Sequence, residues 1–238
     1  MDRLDKILCS QTTLTRTEAG RLIKIGRVTV DGKICKQAST KWDPAAHTIA
    51  VEGKVLGYAE HVYWMLNKPA GILCVSRDPK APTVIDLLPE EARRRGLFPA
   101  GRLDKDTHGL VLITDDGDFA HAMLSPRHHI PKTYRAVLDK PLTEAAAQAF
   151  RDGPTLEDGT RCLPAQVQVL EAGDAPLVEV VIYEGKFHQI KRMFAAVGCH
   201  VTWLKRIAMG GLMLDEALAE GESRPLTPEE KSGIFHEK

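Results

Sequence analysis

No aliphatic run in this chain exceeds four residues, the longest being Leu110 to Ile113, far short of the roughly 20 that a membrane-spanning helix needs. The opening Met-Asp-Arg-Leu-Asp-Lys is charged and holds no apolar leader, so no secretory signal is expected and the chain is read as cytoplasmic. Cysteine is scarce: Cys9, Cys35, Cys74, Cys162 and Cys199 are odd in number and match neither a disulfide framework nor a zinc spacing. They are read as reduced packing residues. Net charge is missing too, with 32 basic against 32 acidic side chains, a balance that argues against a uniformly basic binder of polyanions. What is present, 43% apolar and 27% charged residues in 238, is ordinary globular usage and excludes a collagenous or disordered chain. The length accommodates one large or two modest domains.

The balanced charge is unevenly distributed. Residues 1–57 carry ten basic and six acidic side chains, a net of +4, and the remainder carries −4. Thr15 and Glu18 form a capping box that predicts a short helix over about 16–25, with Gly26 at its stop. Leu22, Ile23 and Ile25 are expected on its apolar side, and Arg21 and Lys24 on its exposed side. Val28 to Cys35 reads as a hairpin turning at Asp31-Gly32. The expected module is two helices followed by a small sheet. By charge alone such a helix face is more often merely solvated than functional.

Residues 53–61 are expected as a linker, followed by a strand from Val62 to Asn67 that Pro69 halts. Residues 76–99, rich in proline and glycine, read as loop with one short helix carrying Arg93, Arg94 and Arg95. The densest charge cluster, Gly101-Arg-Leu-Asp-Lys-Asp-Thr-His-Gly109, precedes the strand Leu110 to Thr114. A loop leaving a rigid strand can fix Arg102 and Asp104, although spacing alone favours a structural aspartate. Tyr134 to Leu138 and Leu177 to Tyr183 read as further strands, and Leu142 to Phe150 as a helix. A second helix is expected over Lys186 to Val197, with Phe187, Ile190, Phe194 and Val197 as its buried stripe. Its first turns hold Lys186, His188, Lys191 and Arg192, at the end of the dipole that repels cations. An anion, either an internal carboxylate or a bound phosphate, is therefore expected among them.

Arg-Leu-Asp-Lys at 3–6, Thr15-Arg16 to Ala19, and Gly26 to Gly32 resemble the RNA-binding module named after ribosomal protein S4. The resemblance implies phosphate contacts by Arg3, Arg16, Arg21, Lys24 and Arg27. Further on, Leu66 to Gly71, Gly101 to Leu110, Lys132-Thr-Tyr134 and Glu184 to Phe194 resemble, in register, the bacterial ribosomal RNA pseudouridine synthases. Ser125 to His129 looks most like the branch acting on one uridine in the 5′ domain of 16S RNA. The resemblance implies an α+β chain: a small α/β RNA-binding domain at 1–57 and a larger synthase domain, with a mixed, mainly antiparallel sheet, at 62–235. A monomer that works on 16S ribosomal RNA or a small-subunit assembly intermediate, without a membrane or cofactor, is expected.

The reaction so implied detaches uracil from ribose, turns the ring and rejoins it through carbon. It calls for a carboxylate beside the sugar, as nucleophile or charge stabiliser. The family places that group at Asp104, with Lys191 as its cationic partner and Tyr134 against the uracil. Arg102 is expected to fill the space left by the everted base. Lys132, Lys186, His188 and Arg192 are further substrate-binding candidates. Three rivals stand beside this reading. A metal-dependent hydrolase would draw on Asp104, Asp106, Asp115, Asp116, Asp118, His121, His128 and His129, whose spacing fits no standard ligand pattern. The others are a 23S RNA synthase and a non-catalytic assembly factor that keeps the fold alone.

Overall fold

The computed structural model describes residues 1–235. The N-terminal residues form helices Leu4–Gln11 and Arg16–Lys24, then a four-stranded antiparallel sheet from Val28–Val30, Lys33–Ile34, Ile49–Val51 and Lys54–Val55. The second helix starts where the capping box predicts, with the Thr15 side chain accepting from the Glu18 backbone and Glu18 reaching back. At the hairpin turn, Asp31 and Gly32 take φ of 50° and 76°, the left-handed pair that a tight two-residue turn requires. Two expectations are corrected. Ile25 is 58% exposed, because the core face repeats at i and i+4 and selects Ala19 and Ile23. Lys54–Val55 pairs with Ala50 and Val51, so the sheet extends into the stretch expected as linker.

The larger unit is built on a nine-stranded sheet whose main path runs Gln166–Glu171, Leu177–Ile182, Lys132–Leu138, Val201–Met209, His108–Thr114, Tyr63–Lys68 and Ser223–Pro225. Pairing is antiparallel except where Lys205 and Arg206 run parallel to His108 and Gly109. There the strands approach so closely that a Cβ on Gly109 would lie 2.2 Å from the Arg206 carbonyl. One face packs on the helices Glu144–Asp152 and Gln189–Ala196 around Phe150 and Phe194. The other packs on Gly117–Leu124 around Met65, Leu112 and Met209.

The short helix expected to carry three arginines is instead a single 3₁₀ turn, Glu90–Ala92, and Arg93 to Arg95 follow it. Arg94 is buried between the two units. Its guanidinium donates to the carbonyls of Ala59 (2.7 Å) and Glu60 (3.0 Å) and to Gln11 Oε1 (3.1 Å), and it is ion-paired with Asp115. Such a pre-committed fork makes a tether rather than a solvated helix face. Among the described residues, no helix is long and apolar enough to cross a membrane.

Candidate active site

Strand order brings three distant segments to one place. The loop Gly101 to Thr107 leaves toward the strand His108–Thr114, Tyr134 lies on Lys132–Leu138, and residues 185–191 open the helix Gln189–Ala196. Together they line an open cleft that holds Arg102, Asp104, Tyr134, Lys186, His188 and Lys191. The Asp104 carboxylate lies 3.5 Å from His188 Nε2 and 3.6 Å from Lys191 Nζ. Lys191 donates its shorter bond, 2.6 Å, to Asp106, which holds the Asp106 carboxyl below the usual carboxylate range. The lysine is thus shared, with Asp106 as the closer partner and Asp104 as the more sheltered one. Arg102 is exposed and has no hydrogen bond or ion pair among the described residues, leaving a free guanidinium at the cleft.

The crowding of cations at the helix start is resolved by carboxylates of the chain itself. Lys186 is ion-paired with Glu184, Lys191 with Asp106 and Asp104, and Arg192 with Asp158. The helix begins at Gln189, later than expected, and His188 caps it with a φ of 49°. That left-handed residue turns Phe187 out of the anticipated buried stripe. Its ring is 74% exposed and stacked on His188 at 3.8 Å. Two expected binding residues lie outside the cleft lining. Arg192 is occupied by Asp158, and the buried Lys132 ammonium donates to Ile130 O at 2.8 Å. Burial lowers the Lys132 pKa to about 8.

Sequence reasoning missed the support beneath the loop. Lys68 is fully buried, and its ammonium donates to the carbonyls of Thr107 (2.9 Å), Pro69 (3.0 Å) and Lys105 (3.1 Å). Burial pushes its pKa down. Arg206, 2% exposed, donates to Leu110 O at 2.8 Å and Gly101 O at 3.3 Å, bracing the loop from the other side. The available signal was Lys68 itself, a charge following Asn67 at the end of a strand that is apolar up to Leu66. In the N-terminal module Arg16, Arg21, Lys24 and Arg27 are exposed, whereas Arg3 is held by Asp5 through bonds of 2.8 and 3.0 Å.

A carboxylate set between an imidazole and an ammonium, in a cleft with a free guanidinium, has the makings of an enzyme site for an anionic substrate. Comparison with known proteins specifies the class. Residues 62–196 match the family model of RNA pseudouridylate synthases and residues 2–45 that of the S4 domain. The chain is 46% identical over 236 residues to ribosomal small subunit pseudouridine synthase A of Escherichia coli, covering 98% of this chain and 99% of that protein. It is 42% identical over 230 residues to an uncharacterized RNA pseudouridine synthase of Bacillus subtilis, covering 96% of each. A crystal structure of a pseudouridylate synthase aligns at a TM-score of 0.67 with 39% identity, covering 98% of this chain and 100% of that one. The chain belongs to the RNA pseudouridylate synthase family, whose members are isomerases.

Proposed function

We propose that this protein isomerises one uridine of 16S ribosomal RNA to pseudouridine, with Asp104 as the reacting carboxylate. The reaction is redox-neutral: the bond from the sugar to ring nitrogen breaks, the bond to ring carbon five forms, and one proton moves from that carbon to solvent as the nitrogen gains another. Its atoms balance without a coenzyme. The observation that carries the reading is the single cleft in which Asp104, Tyr134, His188 and Lys191 meet. Lys191, held by Asp106, stands 3.6 Å from the Asp104 carboxylate. Tyr134 is 7% exposed and offers a flat wall for the uracil. Arg102, free of internal partners, is the group available to enter the stack when the base is turned out.

The E. coli relative is named for the small ribosomal subunit, which supports 16S RNA as the substrate; a cytoplasmic monomer acting on that RNA or on an assembly intermediate completes the reading. In the N-terminal module, Arg16, Arg21, Lys24 and Arg27 hold the RNA through phosphates, while Arg3 is held on Asp5 at the start of the first helix. Asp104→Asn tests the assignment on RNA labelled with tritium at uracil carbon five. The variant should bind the RNA as the wild type does and release no tritium. Release at the wild-type rate would remove Asp104 from the chemistry, and modification of 23S RNA in place of 16S would move the enzyme to the large subunit.

A further inference from the structure

A second cleft, of about 710 Å³, lies on the opposite face of the larger sheet. Side chains alternate along strands, so where Tyr134 and Leu204 line the Asp104 cleft, Arg135, Trp203 and Lys205 line this one. Arg135 and Lys205 are direct register partners, an unfavourable like-charge pairing unless an anion lies between them. Neither makes a hydrogen bond or ion pair among the described residues. Glu179, the register partner on the other side of Arg135, forms none with it. The rim carries Asp215 and Glu216; Asp215 is held by Arg224 at 2.6 Å, which Glu230 shares, so the positive charge of the cleft is confined to the Arg135 and Lys205 pair.

The floor of the cleft carries a second, independent sign of a ligand. Asn67 is 3% exposed, and its Nδ2 donates to Leu218 O at 2.7 Å. Its Oδ1 is buried and has no partner. A buried acceptor left unsatisfied is costly and rare, and at a cleft wall it marks where a ligand N–H belongs. Trp203, half-buried, lines the same cleft. An aromatic face, a buried acceptor and two unpaired cations together suit a nucleotide: base on the indole, ring N–H on the amide oxygen, phosphate between the cations.

We propose that this reverse-face cleft binds one unstacked nucleotide of the RNA substrate, in a segment remote from the uridine that reacts. The assignment rests on the RNA substrate proposed above but not on the role of Asp104, so tritium release and RNA affinity test the two separately. The test uses the full chain and a 16S 5′-domain RNA, with UMP and GMP as free-nucleotide probes. Trp203→Ala and Arg135→Ala should each weaken RNA binding about tenfold, the size of one lost base stack or charged contact. Ultraviolet cross-linking of the wild type should join RNA to the peptide bearing Trp203, and the single-turnover rate at saturating RNA should stay at the wild-type value in both variants. Arg135 is exposed, so its substitution, together with the wild-type cross-link, serves even if Trp203→Ala does not fold. Unchanged affinity in Arg135→Ala, or a cross-link confined to other peptides, would overturn the proposal. So would protection of Trp203 by UMP or GMP but not by RNA, which would assign the cleft to a free nucleotide, or by a basic peptide alone, which would assign it to a protein partner.

Discussion

Lys68 offers the sharpest check on how the reacting loop is held. Its ammonium is enclosed by three carbonyls at 2.9 to 3.1 Å, two of them from Lys105 and Thr107, which flank Asp106 and follow Asp104. Lys68→Met keeps most of the buried stem and removes only the charge. The cage itself yields little net stability, since desolvating an ammonium costs several kcal/mol against hydrogen bonds to a charge of about 1.5–3 kcal/mol each. Removing one side is different, because three carbonyls then lose their donor. At about 1–3 kcal/mol for each buried group, and with water able to reach the two partly buried ones, a loss of about 3–5 kcal/mol follows. For a chain of this size that corresponds to a fall in Tm of about 6–20 °C. Activity should fall further than stability, because a misplacement of about 1 Å in a reacting group can cost about a hundredfold in rate. Urea unfolding and single-turnover tritium release at 25 °C measure the two effects. A variant with wild-type Tm and wild-type rate would refute the claim that this ammonium shapes the loop.

Three shorter predictions concern other parts of the molecule. Burial holds the Lys132 pKa at about 8, below the ordinary value of about 10.4. Between those values the unfolded chain binds more protons, so wild-type stability relative to Lys132→Met should rise as the pH goes from about 7.5 to about 10. A difference in unfolding free energy that stays flat over that range would mean that this amine is not buried. Phe194, fully buried 4.7 Å from Phe150, should cost about 3–5 kcal/mol on truncation to Ala, whereas Phe187→Ala should stay within about 0.5 kcal/mol. Equal losses in urea unfolding would restore Phe187 to the core. Replacing Arg16, Arg21 and Lys24 by Ala should lower the salt dependence of RNA binding by about one unit of slope for each lost phosphate contact, and an unchanged slope would remove the helix from the interface.

Local chemistry was readable in the sequence where it was self-contained. The Thr15 to Glu18 box and the Asp31-Gly32 turn satisfy themselves within four residues, and both form as expected. The central strand Val201–Met209 escaped notice because its inward positions include Arg206, a residue that breaks apolar alternation and is satisfied by Leu110 and Gly101, about a hundred residues away in sequence. The three-arginine run failed for the same reason: Arg94 takes its partners from Gln11, Ala59, Glu60 and Asp115, none of which a local window contains. At the site, resemblance supplied Asp104 and Lys191, and charge reasoning called for an anion among the cations. Neither could show that Lys191 is closest to Asp106, since that choice depends on side-chain geometry across 85 residues.

The end of the strand Tyr63–Lys68 shows why one short segment matters to both faces of the sheet. Consecutive side chains on a strand point to opposite sides, and here the last two are polar and buried, Asn67 at 3% and Lys68 at 0% exposure. Lys68 donates to the Lys105 and Thr107 carbonyls of the Asp104 loop and to Pro69 beside it; Asn67, on the opposite face, lines the second cleft and keeps a buried Oδ1 without a partner. A strand end selected for packing alone would carry two apolar residues at these positions, since burying polar groups is costly without full pairing. On one face the pairing is complete within the chain, which fits a group whose task is to fix a loop. On the other it is incomplete, which fits a group whose partner arrives with the RNA.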